Sequence, residues 1–595
     1  MFKALRYFDV IPPIRCLAST LGDDLPDALS SRNAEFLQSS LLSDVYVRAL
    51  LSAFPDQDSV DRLRAAAILS EIGASTPTIK RALAMPRVLG LLRETPFDAM
   101  RMLGGSLDEA MALAGSLKVS NDERALGFIM WKLADYSRQG HTLVHRRVVE
   151  SRVPAKIVDR LSAQGKIVRR GEYVQGRNDY TIETSIAREI KRRVNSTVLA
   201  WNLEVAVAKM HLTPTQKTAV DMVCSSLFSV ISGLPGSGKT HVAQFLQKCI
   251  PQSVIVAPTG RALCENYYSR CPLQELTSIP EDTALLLIDD SSMLSMDLLA
   301  KALHLAPKSC RVVLIGDINQ LLPIDKGFPF RDILNSKACP VTTFDQAYRQ
   351  VPDISWILDG RLPPDDETLV VETSDENATV AEVARCFKYE GGMVLVPTRN
   401  GRDRINTACQ YLVHMSMDGT MKQTSGIGEG RRVHMEMTAG DVTCVVTADL
   451  MPTIFMHIGN AHYMVEPMTL VGDAVISAHQ GEDVCIGDMG VVSDIAGDMV
   501  SFKKFGADSP CASMIPKTLT EKAYALTVHK AQGSEFLTVV LPALQCNEWT
   551  RRLLYTAATR ASFKLSLVGP RVFWEAALAR VDPDRLTGLA FDLLS

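Results

Sequence analysis

A chain of 595 residues, 47% hydrophobic and 22% charged, is long enough for about four domains, each with its own core. No run approaches the roughly 18 uninterrupted apolar residues of a membrane span, and the first residues lack a secretion signal, so an intracellular protein is expected. Thirteen cysteines without a CxxC pair point to reduced thiols, eleven histidines without HExxH give no structural metal, and a net charge of −4 leaves a nucleic-acid partner open because a basic channel can be local.

Before about residue 196 the pattern is helical, as in "DRLRAAAILSEIGASTPTIKRALAM", whose "EIGASTPTIKRAL" fits either a helix-hairpin-helix or an ordinary helix pair. This predicts a helical domain over 1–120. "SRVPAKIVDRLSAQGKIVRRGEYVQGRNDYTI" then reads as helix, helix and strand pair, the order of a winged helix, and a winged-helix-like domain is expected over 121–195. Six apolar runs follow, "LFSVISG", "SVIVAPTG", "ALLLIDD", "RVVLIGD", "MVLVPTR" and "TVVLP", each stopping at a polar or Gly-rich turn. Continuous runs without alternation indicate parallel strands covered on both faces, in an α/β fold class. The acidic "LPPDDETLVVETSDENATV" from Leu362 connects two such units, and residues 412–520, richer in Gly and short strands, read as a small β-barrel inserted into the second.

Gly233 to Thr240 spells GLPGSGKT after a strand and before a helix. In such a loop the backbone of Gly233, Leu234, Pro235, Gly236, Ser237 and Gly238 surrounds a nucleotide's phosphates, with N–H groups at every one of these residues but Pro235, while Lys239 reaches the outer phosphates and Thr240 can ligate Mg²⁺. Asp289 and Asp290 close the strand "ALLLIDD", where one carboxylate can hold Mg²⁺ and the next can orient the attacking water. Gln320, after "RVVLIGD", is a candidate γ-phosphate sensor, and Arg349 and Arg560 are candidate arginine fingers.

"LTPTQKTAV", "GLPGSGKT", "APTGRA", "LIDDSSM", "GDINQLLPI", "YRQ", "VPTRNGRDRIN", "YALTVHKAQGSEF" and "LLYTAATRA" occur in the order of superfamily 1 helicases. Over residues 200–570 the chain resembles the RecD branch, and "ETPFDAM" with the segment after it is similar to free-standing RecD-like helicases with an extended N-terminal region. The resemblance implies two RecA-like P-loop domains with parallel sheets, at 196–355 and at 356–411 with 521–595, an SH3-like inserted β-barrel at 412–520, and a mainly helical N-terminal region ending in a winged helix. It implies that Gln216 reads adenine, Tyr348 stacks on it, and Gly533 and Glu535 touch γ-phosphate and ribose. Pro258, Thr259 and Arg261, with Thr398, Asn406, Thr527 and His529, would line the nucleic-acid path.

The activity so implied is ATP-dependent 5′-to-3′ translocation on single-stranded DNA and helicase action in replication, recombination or repair, with ATP and Mg²⁺ as cofactors. Single-stranded and tailed or forked duplex DNA, and replication or repair proteins, are the expected partners, with no membrane. The expected location is the cytoplasm of a bacterial or phage-infected cell, or a nucleus for a eukaryotic or viral source. Translocation without strand separation, a nucleotide-gated clamp and an RNA helicase are the alternatives. Two departures bear on these. The family writes Asp-Glu where this chain has Asp289-Asp290, and only "SRCPLQELTSIPEDTA" separates Tyr268 from Leu285, too short for the family's strand-splitting pin.

Overall fold

A computed structural model describes residues 56–208, 211–258, 272–346, 353–363, 369–390, 392–415, 438–439, 442–447, 453–458, 461–465, 473–477, 488–504, 513–544 and 547–595. The chain divides into two units, Met1–Thr181 and Ile182–Ser595.

In the first unit, helices Gln57–Glu71, Leu107–Ser116 and Asn121–Arg138 each begin at a capping box, made by Asp56 with Ser59, Ser106 with Glu109 and Ser120 with Glu123. Each box satisfies two backbone donors that the first turn leaves unpaired. Leu69, Leu113 and Trp131 of these helices share one core with Ile79, Leu92 and Met100 of the short helices between them. Strands β1 (Leu143–His145), β2 (Ile167–Arg170) and β3 (Tyr173–Gly176) follow as an antiparallel sheet of order β1-β3-β2, with helices Arg146–Glu150 and Ala155–Ala163 between β1 and β2.

The second unit holds two parallel sheets. In the first, β4 (Phe228–Gly233), β5 (Ser253–Val256), β6 (Leu285–Ile288), β7 (Arg311–Gly316) and β8 (Val341–Phe344) run in the order β5-β6-β7-β4-β8. Every residue of β4, β6 and β7 is buried, the physical reason for their unbroken apolar runs.

The chain continues through β9 (Val370–Val371) and β10 (Met393–Val396) into the helix Arg399–Met415. Next come β11 (Thr438–Ala439), β12 (Val442–Thr447), β13 (Thr453–Ile458) and β14 (Ala461–Val465), an antiparallel sheet in sequence order. A second antiparallel sheet, of order β18-β17-β16-β15-β19, is built from β15 (Ala474–Ser477), β16 (Met489–Ala496), β17 (Met499–Lys504), β18 (Ser513–Pro516) and β19 (Thr520–Lys522). Among its described residues the inserted region carries two sheets, of which the second spans Ala474–Lys522. Val475, Val492, Val500, Phe502 and Ile515 give the second sheet a small core of its own.

Strands β20 (Ala525–Thr527), β21 (Phe536–Pro542) and β22 (Ala561–Val568) return to the second parallel sheet, of order β20-β10-β21-β22-β9. The helix Arg399–Met415 ties the insertion to this sheet. Its Gln410 Nε2 donates to Asp473 Oδ2 at 2.7 Å, and Tyr524 Oη donates to Asp473 Oδ1 at 2.6 Å. The final helix, Leu589–Leu594, buries Leu589 and Leu593 in the core of the first parallel sheet, together with Phe330 and Ile333. Arg585, just before it, donates to the carbonyls of Pro323, Asp325 and Gly327.

Candidate nucleotide and nucleic-acid site

Strand β4 lies inside the sheet, between β7 and β8, and the loop from Gly233 to Gly238 leaves its carboxyl end to start the helix Lys239–Cys249. Ligands of open parallel sheets sit at such strand ends. Gly236 and Gly238 hold φ values of 69° and 88°, which side-chain-bearing residues rarely adopt, and these turn the loop over on itself. A Cβ on Gly233 would lie 2.7 Å from Phe344 Cβ, and one on Gly238 would lie 2.4 Å from Gln216 Nε2. Lys239 Nζ donates to the Gly233 and Leu234 carbonyls, each at 2.8 Å. Ser237 Oγ is buried and has no hydrogen-bond partner among the described residues, an uncompensated polar atom inside a cradle of backbone.

Asp289 and Asp290 follow β6, and Asp317 follows β7. Asp289 Oδ1 accepts from the Asp290 amide at 2.9 Å, and Asp290 itself takes the left-handed conformation, φ 49° and ψ 37°. Burial raises the Asp290 carboxyl to about 6, with Asp289 adding to the rise and Arg560 and Lys239 opposing it. Burial also raises Asp317 and lowers Lys239; Asp317 is the carboxylate that most offsets the effect on Lys239. Arg560, itself lowered by burial, feels Asp290, Glu535 and Asp317. Lys239, Asp289, Asp290, Asp317 and Arg560 therefore form one mixed-charge cluster, in which Asp289, Asp317 and Arg560 are buried and Lys239 and Asp290 half-buried.

The far side of this locus is the helix Arg551–Ala558 of the second parallel-sheet domain. Tyr555 Oη donates to Asp317 Oδ2 at 2.9 Å, and Arg552 Nη1 donates to the carbonyls of Ile318 and Gln320 at 2.7 and 2.9 Å. Arg560 is fixed by the Ser534 and Thr556 carbonyls and the Thr559 hydroxyl. Gln320 is buried beside this contact. Gln532 Nε2 and Ser534 Oγ are further buried polar atoms without partners among the described residues; they flank Gly533, whose φ is 78°.

A family model described as "AAA domain" matches residues 211–383, and one described as "UvrD-like helicase C-terminal domain" matches residues 522–568. The ATP-dependent RecD2 DNA helicase of Deinococcus radiodurans is 26% identical over 64% of this chain and 52% of its own length. The RecBCD enzyme subunit RecD of Mycolicibacterium smegmatis is 23% identical over 63% of this chain and 74% of its own. The chain is similar to RecD-type helicases. It spans about half the length of the first of these relatives. Among solved structures, Pif1 helicase from Candida albicans matches at 17% identity and a TM-score of 0.37, covering 60% of this chain and 94% of that one. The first of these relatives is named as an ATP-dependent DNA helicase.

The RecD-type residues divide by position. Gln216 is buried, its Oε1 accepting from the Thr213 amide in a capping box and its Nε2 set against Gly238. Glu535 and His529 are exposed, and Pro258 is buried. Thr398 Oγ1 accepts from the Gly401 amide and Thr527 Oγ1 from the Lys530 amide, so both start helices. Asn406 departs from the expectation that it lines a path. It is buried, with Nδ2 donating to the Lys522 carbonyl at 3.1 Å and Oδ1 accepting from the Ala525 amide at 2.7 Å. Its amide is committed to the backbone on either side of β20's start. Thr259, Arg261, Tyr348 and Arg349 lie outside the described residues.

Asp317, Tyr555 and Arg552 are the site residues that sequence reasoning missed. The signal for Asp317 was present, since it stands directly after an apolar strand, as Asp289 does.

Proposed function

We propose that this chain is an ATP-driven motor that moves 5′ to 3′ on single-stranded DNA and separates strands at tailed or forked duplexes in replication, recombination or repair. The observation that carries the reading is the hydrogen-bonded contact of Asp317 and the Gln320 loop with Tyr555 and Arg552 of the second domain, which sets Arg560 against the same charged cluster as Lys239, Asp289 and Asp290. The orphaned Ser237 hydroxyl and the cradle that Gly233 and Gly238 keep open fit a nucleotide's phosphates. ATP with Mg²⁺ supplies the bond whose hydrolysis drives motion. Lys239 holds the outer phosphates, Thr240 and Asp289 take the metal, and Asp290 orients the attacking water. Gln320 senses the γ-phosphate, while Arg560, and Arg349 by resemblance, stabilise the charge that grows on it.

Because Gln320 and Arg560 belong to different domains, hydrolysis changes how firmly those domains are joined, and the strand is ratcheted by backbone contacts. We read β1–β3 with their helices as a winged helix and β15–β19 as the SH3-like element. A soluble cytoplasmic protein fits the bacterial relatives. The second reading, translocation without strand separation, is favoured by the short segment 269–284 between the "APTG" motif and β6.

Strand displacement on 5′-tailed and 3′-tailed duplexes, beside ATPase measured with and without single strands, tests both. Displacement of the 5′-tailed substrate alone, lost in Lys239→Ala, supports the helicase. DNA-stimulated ATPase without displacement supports the translocase, and absence of ATPase overturns both.

A further inference from the structure

Within the helix Arg551–Ala558, residues 552, 555 and 556 fall on one face by helical spacing, and all three grip the segment that follows β7. Arg552 holds the carbonyls of Ile318 and Gln320, Tyr555 holds the Asp317 carboxylate, and Thr556 Oγ1 accepts from the Leu321 amide at 2.9 Å. The grip thus brackets Gln320 on both sides. The same helix ends at Ala558, two residues before Arg560, whose guanidinium leans back on the Thr556 carbonyl. Asp317 in turn is the carboxylate acting most strongly on Lys239.

We propose that Tyr555 is a positioning residue for ATP hydrolysis: through Asp317, and together with Arg552 and Thr556, it sets the registration of Lys239 and Gln320 in one domain against Arg560 in the other. The inference rests on the motor reading above. A phenol donating to a buried carboxylate is a strong, directional contact, whereas simple adhesion between domains needs only apolar area. Loss of the hydroxyl leaves a buried carboxylate oxygen without that donor and frees the loop to drift relative to the finger. A drift of about 1 Å at reacting groups costs on the order of a hundredfold in rate. Nucleotide binding draws mainly on the loop Gly233–Thr240, whereas the Tyr555 hydroxyl bonds to Asp317, so affinity is expected to hold.

The experiment is steady-state ATPase of the full chain with saturating single-stranded DNA, comparing wild type, Tyr555→Phe, Asp317→Asn and the double variant, with thermal melts of each. Tyr555→Phe keeps the ring and its packing. The expected result is a kcat lowered about ten- to a hundredfold with KM for ATP within about threefold and a melting temperature close to wild type. In the Asp317→Asn background the same change should cost less than about twofold more, since the two residues act as one unit. An unchanged kcat in Tyr555→Phe overturns the inference while leaving the motor intact. So do losses that multiply independently in the double variant, or a fall in kcat that only tracks a fall in melting temperature. A wild-type chain that hydrolyses no ATP overturns the motor reading and this inference together.

Discussion

Replacing Arg585 with alanine should release the last helix, Leu589–Leu594, from the first parallel-sheet domain without unfolding either domain. The Arg585 guanidinium donates to three carbonyls, those of Pro323 at 2.5 Å, Asp325 at 2.6 Å and Gly327 at 2.7 Å. Hydrogen bonds to a charged group contribute about 1.5–3 kcal/mol each in net terms, but the Asp325 contact is exposed and water replaces it readily. Burial of the cation, which pulls its pKa down to about 10, offsets part of the remainder. A net loss of about 2–3 kcal/mol follows, roughly 30- to 150-fold in the local opening equilibrium. Hydrogen exchange is the assay, read at the Asp592 amide, which bonds to the Gly588 carbonyl, against the amides of β4 as an internal standard. Exchange at Asp592 should accelerate by that factor while β4 stays protected. Acceleration of less than about threefold would show that Leu589 and Leu593 hold the helix by apolar burial alone.

Asp290→Asn should suppress DNA-stimulated turnover strongly, while Asp290→Glu should retain or raise it with a small loss of stability, because Asp tolerates the left-handed φ of 49° better than Glu does. Full activity in Asn would remove Asp290 from the mechanism. Arg560→Ala should lower kcat with nucleotide affinity nearly intact, checked by equilibrium binding of a fluorescent ATP analogue; a loss mainly of affinity would refute its role as a finger. Asn406→Leu should lower the melting temperature by several degrees, since it leaves the Lys522 carbonyl and Ala525 amide without their partner. A variant that melts normally but binds single-stranded DNA poorly would restore Asn406 to the nucleic-acid path.

The phosphate loop and the acidic strand end were legible because buried parallel strands write themselves as unbroken apolar runs, and chemistry-bearing residues fall just after them. Asp317 obeys the same rule and could have been found by it. Its partner could not. Tyr555 lies 238 residues further on, and only the approach of the two parallel-sheet domains makes them neighbours. For Asn406 the motif fixes a position in the helix Arg399–Met415 but does not reveal that its amide bonds to strand backbone. The two sheets of the insertion escaped the sequence because alternation identifies a half-buried strand without saying which strands pair. Tyr348, Arg349, Thr259 and Arg261 carry roles that rest on resemblance, since they fall outside the described residues.

The helix Arg399–Met415 holds the inserted region at two points, through Gln410 to Asp473 at the head of β15 and through Asn406 to Lys522 at the end of β19 and Ala525 at the start of β20. The chain therefore leaves and rejoins the second parallel sheet at points clamped to one rigid rod. Strands β15 and β19 pair with each other, Val475 opposite Lys522, so the first and last strands of the second antiparallel sheet are held both by their own ladder and by the same helix. The second antiparallel sheet is thereby tied to the second parallel-sheet domain by its first and last strands.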